Sequence, residues 1–212
     1  MKILAIFLLL VSSLLTGCTI QNDTIAKNEN LGKEKYENDS REYDIYISHT
    51  TECSREEEKD LYEAMESLLT ERTATQFSIA SPDIDLTSEN VFGAKDSVEY
   101  YPLKDSEVSF EKIRNQLLEV YEADYVDNVL LPYYFETAEL YVEQDGQLYA
   151  QDVAAVVLGL RDDWTVWKVN ENYYYIQGLE DSDMEVMVIL TVVRSEEGAG
   201  FLISDEVEIN LN

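Results

Sequence analysis

The chain has 212 residues, 45% hydrophobic and 11% aromatic, enough apolar material for one domain with a sizeable core. Against 44 Asp and Glu stand only 15 Lys and Arg, a formal charge of −29. Nucleic acid is thereby excluded as a partner, because binding it relies on cations that displace counterions from phosphates. A basic protein is what a field of this sign draws in.

The first element is a leader. Lys2 is a positive n-region, Ile3 to Val11 an apolar core, and Leu15-Thr16-Gly17-Cys18 closes it with small or apolar residues before a cysteine. This is the anatomy of a secretory signal and it resembles a bacterial lipobox. The resemblance implies that residues 1–17 are removed and that Cys18 carries a thioether-linked diacylglycerol, the palmitate-bearing anchor of a lipoprotein. Polar Thr19, Gln21, Asn22 and Asp23 arrive too soon for a membrane-spanning helix, which needs about 20 apolar residues. Two acyl chains anchor stably where one binds marginally, so the expected location is the extracellular face of the cell membrane. Residues 18–42, rich in Asn, Glu, Lys and Asp, cannot offset their ordering entropy by burial and read as a disordered tether. The remainder, 43–212, reads as a single domain.

Tyr43 to Ser48 alternates weakly and suggests a short strand or a packed tail. Ser54-Arg-Glu-Glu57 reads as a capping box opening a helix whose apolar face is Leu61, Met65, Leu68 and Leu69, and which runs to about Arg72. β-Branched residues from Thr73 to Leu86 suggest an extended piece broken by Pro82. Phe110, Ile113, Leu117 and Val120 predict a second helix over 111–121 with Ser109 as N-cap. A short third helix begins at Asp124 and is stopped by Pro132. From Tyr133 the period changes to two. Asp145-Gly146 between alternating residues is a hairpin signal, and extended runs follow over 163–169, 172–178, 184–194 and 200–211, the third apolar on both faces. Helices first and strands afterwards give an α+β fold: N-terminal helices packed on a curved antiparallel β-sheet.

Chemistry is sparse. With Cys18 lipidated, Cys53 has no disulfide partner in the chain, and it could be a buried small hydrophobe, an exposed thiol or a nucleophile. The only histidine, His49, lies four residues before it, but catalytic pairs of this type are brought together by a fold rather than by adjacent sequence. One His and one Cys cannot build an N/S metal site, no 12-residue calcium loop or phosphate loop is present, and no cofactor is expected. Binding is favoured over catalysis, so the chain is read as a non-enzyme.

The runs Val98-Glu-Tyr-Tyr-Pro-Leu-Lys-Asp105, Phe110-Glu-Lys-Ile-Arg-Asn-Gln-Leu-Leu-Glu-Val-Tyr121 and Leu140-Tyr-Val-Glu-Gln-Asp-Gly-Gln-Leu-Tyr149 together resemble the IseA (YoeB) family. These are secreted inhibitors of the D,L-endopeptidases that open peptidoglycan in Gram-positive bacteria. The chain departs from the family pattern at Tyr121-Glu122, Gln147 and Val153 to Val156. The resemblance implies an inhibitor that sets acidic turns against a cysteine/histidine active site, its partner being a peptidoglycan endopeptidase. The candidates for that contact are acids in turns beside aromatic residues: Glu143 and Asp145, Asp162 and Asp163 next to Trp164, and Asp181 and Asp183. Against this stands the plainer reading that the aromatics are core and the acids turn formers. The alternative resemblance is to cone-shaped nuclear transport factor and cystatin-like folds, which implies a lipoprotein domain binding a small ligand or another envelope protein.

Overall fold

The computed structural model of the chain describes residues 49–89, 91–93, 98–153, 157–182, 185–195 and 200–211, all within the compact unit Asp39–Asn212. The leader, Cys18, the tether and the run Tyr43 to Ser48 lie outside the described residues. The fold is α+β. Strand β1 (Thr51–Glu52) precedes helix α1 (Lys59–Ala80); β2 (Phe92–Gly93), β3 (Glu99–Pro102), α2 (Phe110–Leu118) and α3 (Ala123–Tyr125) follow. Then come π-helical turns over Val126–Leu130 and Tyr133–Thr137, and strands β4 (Tyr141–Gln144), β5 (Gln147–Gln151), β6 (Thr165–Lys168), β7 (Tyr173–Leu179), β8 (Val186–Arg194) and β9 (Phe201–Asn210).

The strands form two antiparallel sheets, a five-stranded one in the order β1-β6-β7-β8-β9 and a four-stranded one in the order β2-β3-β5-β4. The inner face of the larger sheet carries Val166, Tyr174, Ile176, Val188, Leu190, Val192 and Ile203, and these share one core with Tyr62, Met65 and Leu68 of α1, with Leu117 of α2, and with Val120, Tyr121 and Val126 beyond it. Each such aliphatic or aromatic side chain contributes about 1.5–3 kcal/mol when fully buried.

Three local expectations are corrected. Ser54 does accept from Glu57 N–H at 3.4 Å, but it caps only a turn, and α1 itself starts at Lys59. The helix also runs past Arg72 through the stretch expected to be extended. The buried stripe Tyr62, Met65, Leu68, Arg72, Thr75 and Ile79 continues at helical spacing, and tertiary burial overrides the low helix propensity of the threonines. Thr70 and Thr73 fold their hydroxyls back onto the carbonyls of Glu66 and Leu69 at 2.9 and 3.0 Å, which keeps them compatible with the helix. Pro132 does not stop the third helix but sits, with φ −57°, at the start of the next helical turn, where its fixed φ and missing N–H are tolerated.

Other expectations hold. Ser109 caps α2 by accepting from Lys112 N–H at 3.2 Å, and the hairpin turns through Asp145 (φ 53°) and Gly146 (φ 78°), both left-handed as a primed turn requires.

Tyr62 ties helix to sheet. Its hydroxyl donates to the Cys53 carbonyl at 3.1 Å and accepts from Val166 N–H at 3.2 Å. Tyr62→Phe leaves both buried backbone groups short of a partner, and urea unfolding should show a loss of about 1–3 kcal/mol; an unchanged midpoint would show that this bridge does not hold the sheet to α1.

Candidate functional site

One end of the five-stranded sheet gathers acids from two turns. Residues 158–164 run back along the end of β7: Arg161 N–H donates to Leu179 O at 2.8 Å, Asp181 N–H donates to Gly159 O at 2.9 Å, and Leu160 bridges Glu180. The Arg161 guanidinium locks the pair, donating through Nε to Glu180 O at 3.1 Å and through Nη2 to Ser182 O at 2.8 Å. Arg161 is held by backbone carbonyls, and among the described residues it forms no ion pair. Asp162 and Asp163 in one turn and Asp181 in the other are exposed, on two segments that Arg161 ties together.

Trp164, expected beside them as a contact residue, turns inward instead. It is buried, stacks on Tyr62 at 5.2 Å, and has the Arg55 guanidinium 4.8 Å from its ring centre and 4.9 Å from that of Tyr62. The approach depends on Gly178, where an added Cβ would meet Trp164 Cβ at 2.9 Å. Glu143 and Asp145 are exposed, but they belong to the β4–β5 hairpin of the other sheet, and among the described residues no hydrogen bond or ion pair joins them to the acidic end. Asp183 lies outside the described residues, as does Cys18.

Sequence reasoning passed over a groove beside these turns. On the outer face of the same sheet, Glu52, Asp163, Thr165, Trp167, Leu179 and Met187 line an open depression of about 300 Å³. The Trp167 indole N–H donates to Thr165 Oγ1 at 3.0 Å. The signal was the period-two alternation, which sends Val166 into the core and Thr165 and Trp167 to the opposite face.

A second centre, also missed, is internal. Arg72 is 5% exposed and forms a two-pronged pair with Glu206, Nε donating to Oε2 at 3.2 Å and Nη2 to Oε1, while Nη1 reaches Leu158 O at 3.5 Å. Burial alone would lower the Arg72 pKa, and Glu206, followed by Tyr121, reverses this and holds it above the usual arginine value. Burial, then the neighbouring charges of Glu206 and Glu180, pushes Glu208 up to about 7, with Arg72 opposing. Glu180 and Asp205 are raised as well, both by burial first. The buried Tyr121 hydroxyl has no partner in strict hydrogen-bond geometry; the Gln76 side chain is the polar group it interacts with.

The Cys53 thiol is buried and pushed up to about 12, by burial first and then by Glu58, so thiolate is scarce at neutral pH. His49 is exposed. Among the described residues no group of three or more His, Cys, Asp or Glu could hold a metal ion, and no helix is long and apolar enough to cross a membrane. No protein-family model, curated protein or solved structure matches the chain.

The raised Glu208 makes stability depend on pH with a definite sign. Its folded pKa, about 7, lies above the unfolded 4.5, so between these values the folded state binds more protons and stability falls as pH rises. The penalty is absent below about 4.5 and complete above about 7, with Glu180 and Asp205 acting in the same direction. Glu208→Gln should therefore raise stability at pH 8 by on the order of 2 kcal/mol and by almost nothing at pH 5. Urea midpoints across that range check it; an equal gain at both pH values would show that Glu208 is not the titrating group.

Proposed function

We propose that this chain is a lipid-anchored, extracellular inhibitor of a cysteine-dependent peptidoglycan D,L-endopeptidase, and that it presents the acidic end of its five-stranded sheet to the enzyme's histidine-bearing site. The observation that carries this reading is the gathering of Asp162, Asp163 and Asp181 by Arg161, in a chain of charge −29. The order of elements is consistent with the IseA resemblance: a leading helix, the strand Glu99–Pro102, the amphipathic α2, a helical segment and a tight hairpin.

The chemistry is electrostatic. Exposed carboxylates compete with the enzyme's thiolate for the imidazolium and stand where an acidic peptide stem would enter. The hydrogen bonds that tie residues 159–161 to 179–182 reduce the ordering cost of docking. Cys18 confines the inhibitor to enzymes working near the membrane.

The test is the turbidity loss of purified cell walls under a panel of the host's cysteine endopeptidases, with and without the full chain in detergent. At least one enzyme should slow, and association should weaken with salt as the Debye length falls from about 10 Å at 0.1 M to about 3 Å at 1 M. Asp162→Asn with Asp181→Asn should weaken inhibition about tenfold while stability changes by less than about 0.5 kcal/mol. No slowing of any enzyme, or equal slowing by the double variant, overturns the reading. Cys18→Ala should release the protein from membranes; a leader-processed variant that still pellets with membranes removes the anchor from the proposal.

A further inference from the structure

The outer-face groove beside the acidic turns has a composition that selects its occupant. At about 300 Å³ it lies at the lower limit of ligand pockets, roughly 300–1,000 Å³, so it suits a single long side chain better than a whole cofactor. Its charged lining is Glu52 from β1 and Asp163 from the turn before β6, both exposed, and its walls are Trp167, Leu179 and Met187. An anion would be repelled, and a wholly apolar occupant would strip water from two carboxylates without replacing it. A long aliphatic stem ending in a cation satisfies both halves of the lining. The Trp167 N–H is already spent on Thr165, so what the indole offers an occupant is its π system, to which cations are attracted. The domain uses this chemistry internally, where its own Arg55 lies over Tyr62 and Trp164.

We propose that the groove receives one lysine or arginine side chain of the protein partner, the stem lying along Trp167, Leu179 and Met187 and the charged head between Glu52 and Asp163. This rests on the reading that the domain docks a protein, and it adds a captured side chain to the blocking turns. The turns then supply occlusion and the groove supplies the anchor, a division usual in interfaces where a few buried contacts carry most of the affinity.

The probe is acetyl-Ala-Lys-Ala-amide, titrated into the ¹⁵N-labelled full chain while the Trp167 indole resonance is followed, with the Nε-acetyl-lysine peptide as the neutral comparison. The charged peptide should shift that resonance and the neutral one should not. Glu52→Gln with Asp163→Asn should weaken binding about tenfold, whereas Glu143→Gln with Asp145→Asn, an equal change in charge on the other sheet, should alter it less than about twofold. No shift, equal shifts from both peptides, or equal losses in the two double variants would overturn the groove. Wall-digestion assays separate this from the inhibitor reading. Inhibition undiminished by Glu52→Gln, which lies outside the blocking turns, sinks the groove and leaves the inhibitor standing; a groove that behaves as stated in a chain that slows no endopeptidase supports the groove and sinks the inhibitor.

Discussion

Arg72 is the one buried cation of the described fold, and the arrangement of the larger sheet depends on it. It joins the first long helix to the last strand, elements that a sequence separation of 134 residues brings together only in the folded state. Glu206, Glu208 and Glu180 share its neighbourhood, so without the guanidinium β9 would close the sheet with carboxylates facing one another across the core boundary. A buried pair of this kind is weak evidence of net stabilisation, because desolvation offsets much of the attraction, yet removing one partner costs about 3–5 kcal/mol. Its effect is on which packing is allowed: only an arrangement that sets the middle of α1 against the middle of β9 gives buried Arg72 and Glu206 each a partner.

A β-bulge makes that pairing necessary. Thr191 pairs with Asp205 and Val192 with Ile203, leaving Ser204 as the extra residue of β9. Before the bulge, Ile203 points to the core; after it, the parity is shifted, so Glu206 and Glu208 point inward and Val207 and Ile209 outward, opposite Ile189 and Met187. One inserted residue sends every later side chain to the other face. The bulge lies where residues 120–122 cap the strand's free edge, Ile203 exchanging hydrogen bonds of 2.9 Å with Val120 and Glu122.

This explains which parts of the fold could be read from residues alone. Extended patterns located β6 and β7, an apolar run on both faces located β8, and Asp145-Gly146 located the hairpin, because these signals are local. The length of α1 was not legible: the benefit of burying Thr75 and Ile79 comes from partners far along the chain, and local threonine content points the other way. The inward glutamates were hidden for the same kind of reason, since an unbroken alternation through Ile203, Val207 and Ile209 assigns Glu206 and Glu208 to solvent. Of the candidate site, the turn acids Asp162, Asp163 and Asp181 were legible as turn residues, but the tie between their two segments comes from Arg161 and from backbone pairing of Leu160 with Glu180. Trp164 and Trp167, three positions apart, lie on opposite faces, one stacked in the core and one lining the groove.

Charge on the surface follows a different logic from charge inside. Every lysine and arginine among the described residues is engaged: Lys59, Lys104, Lys112, Arg114 and Lys168 with nearby carboxylates, Arg72 with Glu206, Arg161 with carbonyls, and Arg55 and Arg194 over aromatic rings. Most of these exposed pairs contribute little to stability, but each cancels a negative charge where it stands. What a partner meets is then set by where cancellation fails. At physiological salt a charge is felt over about 8 Å, so the total of −29 matters less than acids within one Debye length of each other. Arg161 is decisive because it spends its hydrogen bonds on backbone carbonyls while drawing two acidic turns together. Arg161 thereby organises the negative patch while, among the described residues, pairing none of its carboxylates, and attraction for a basic partner is concentrated at the mouth of the groove.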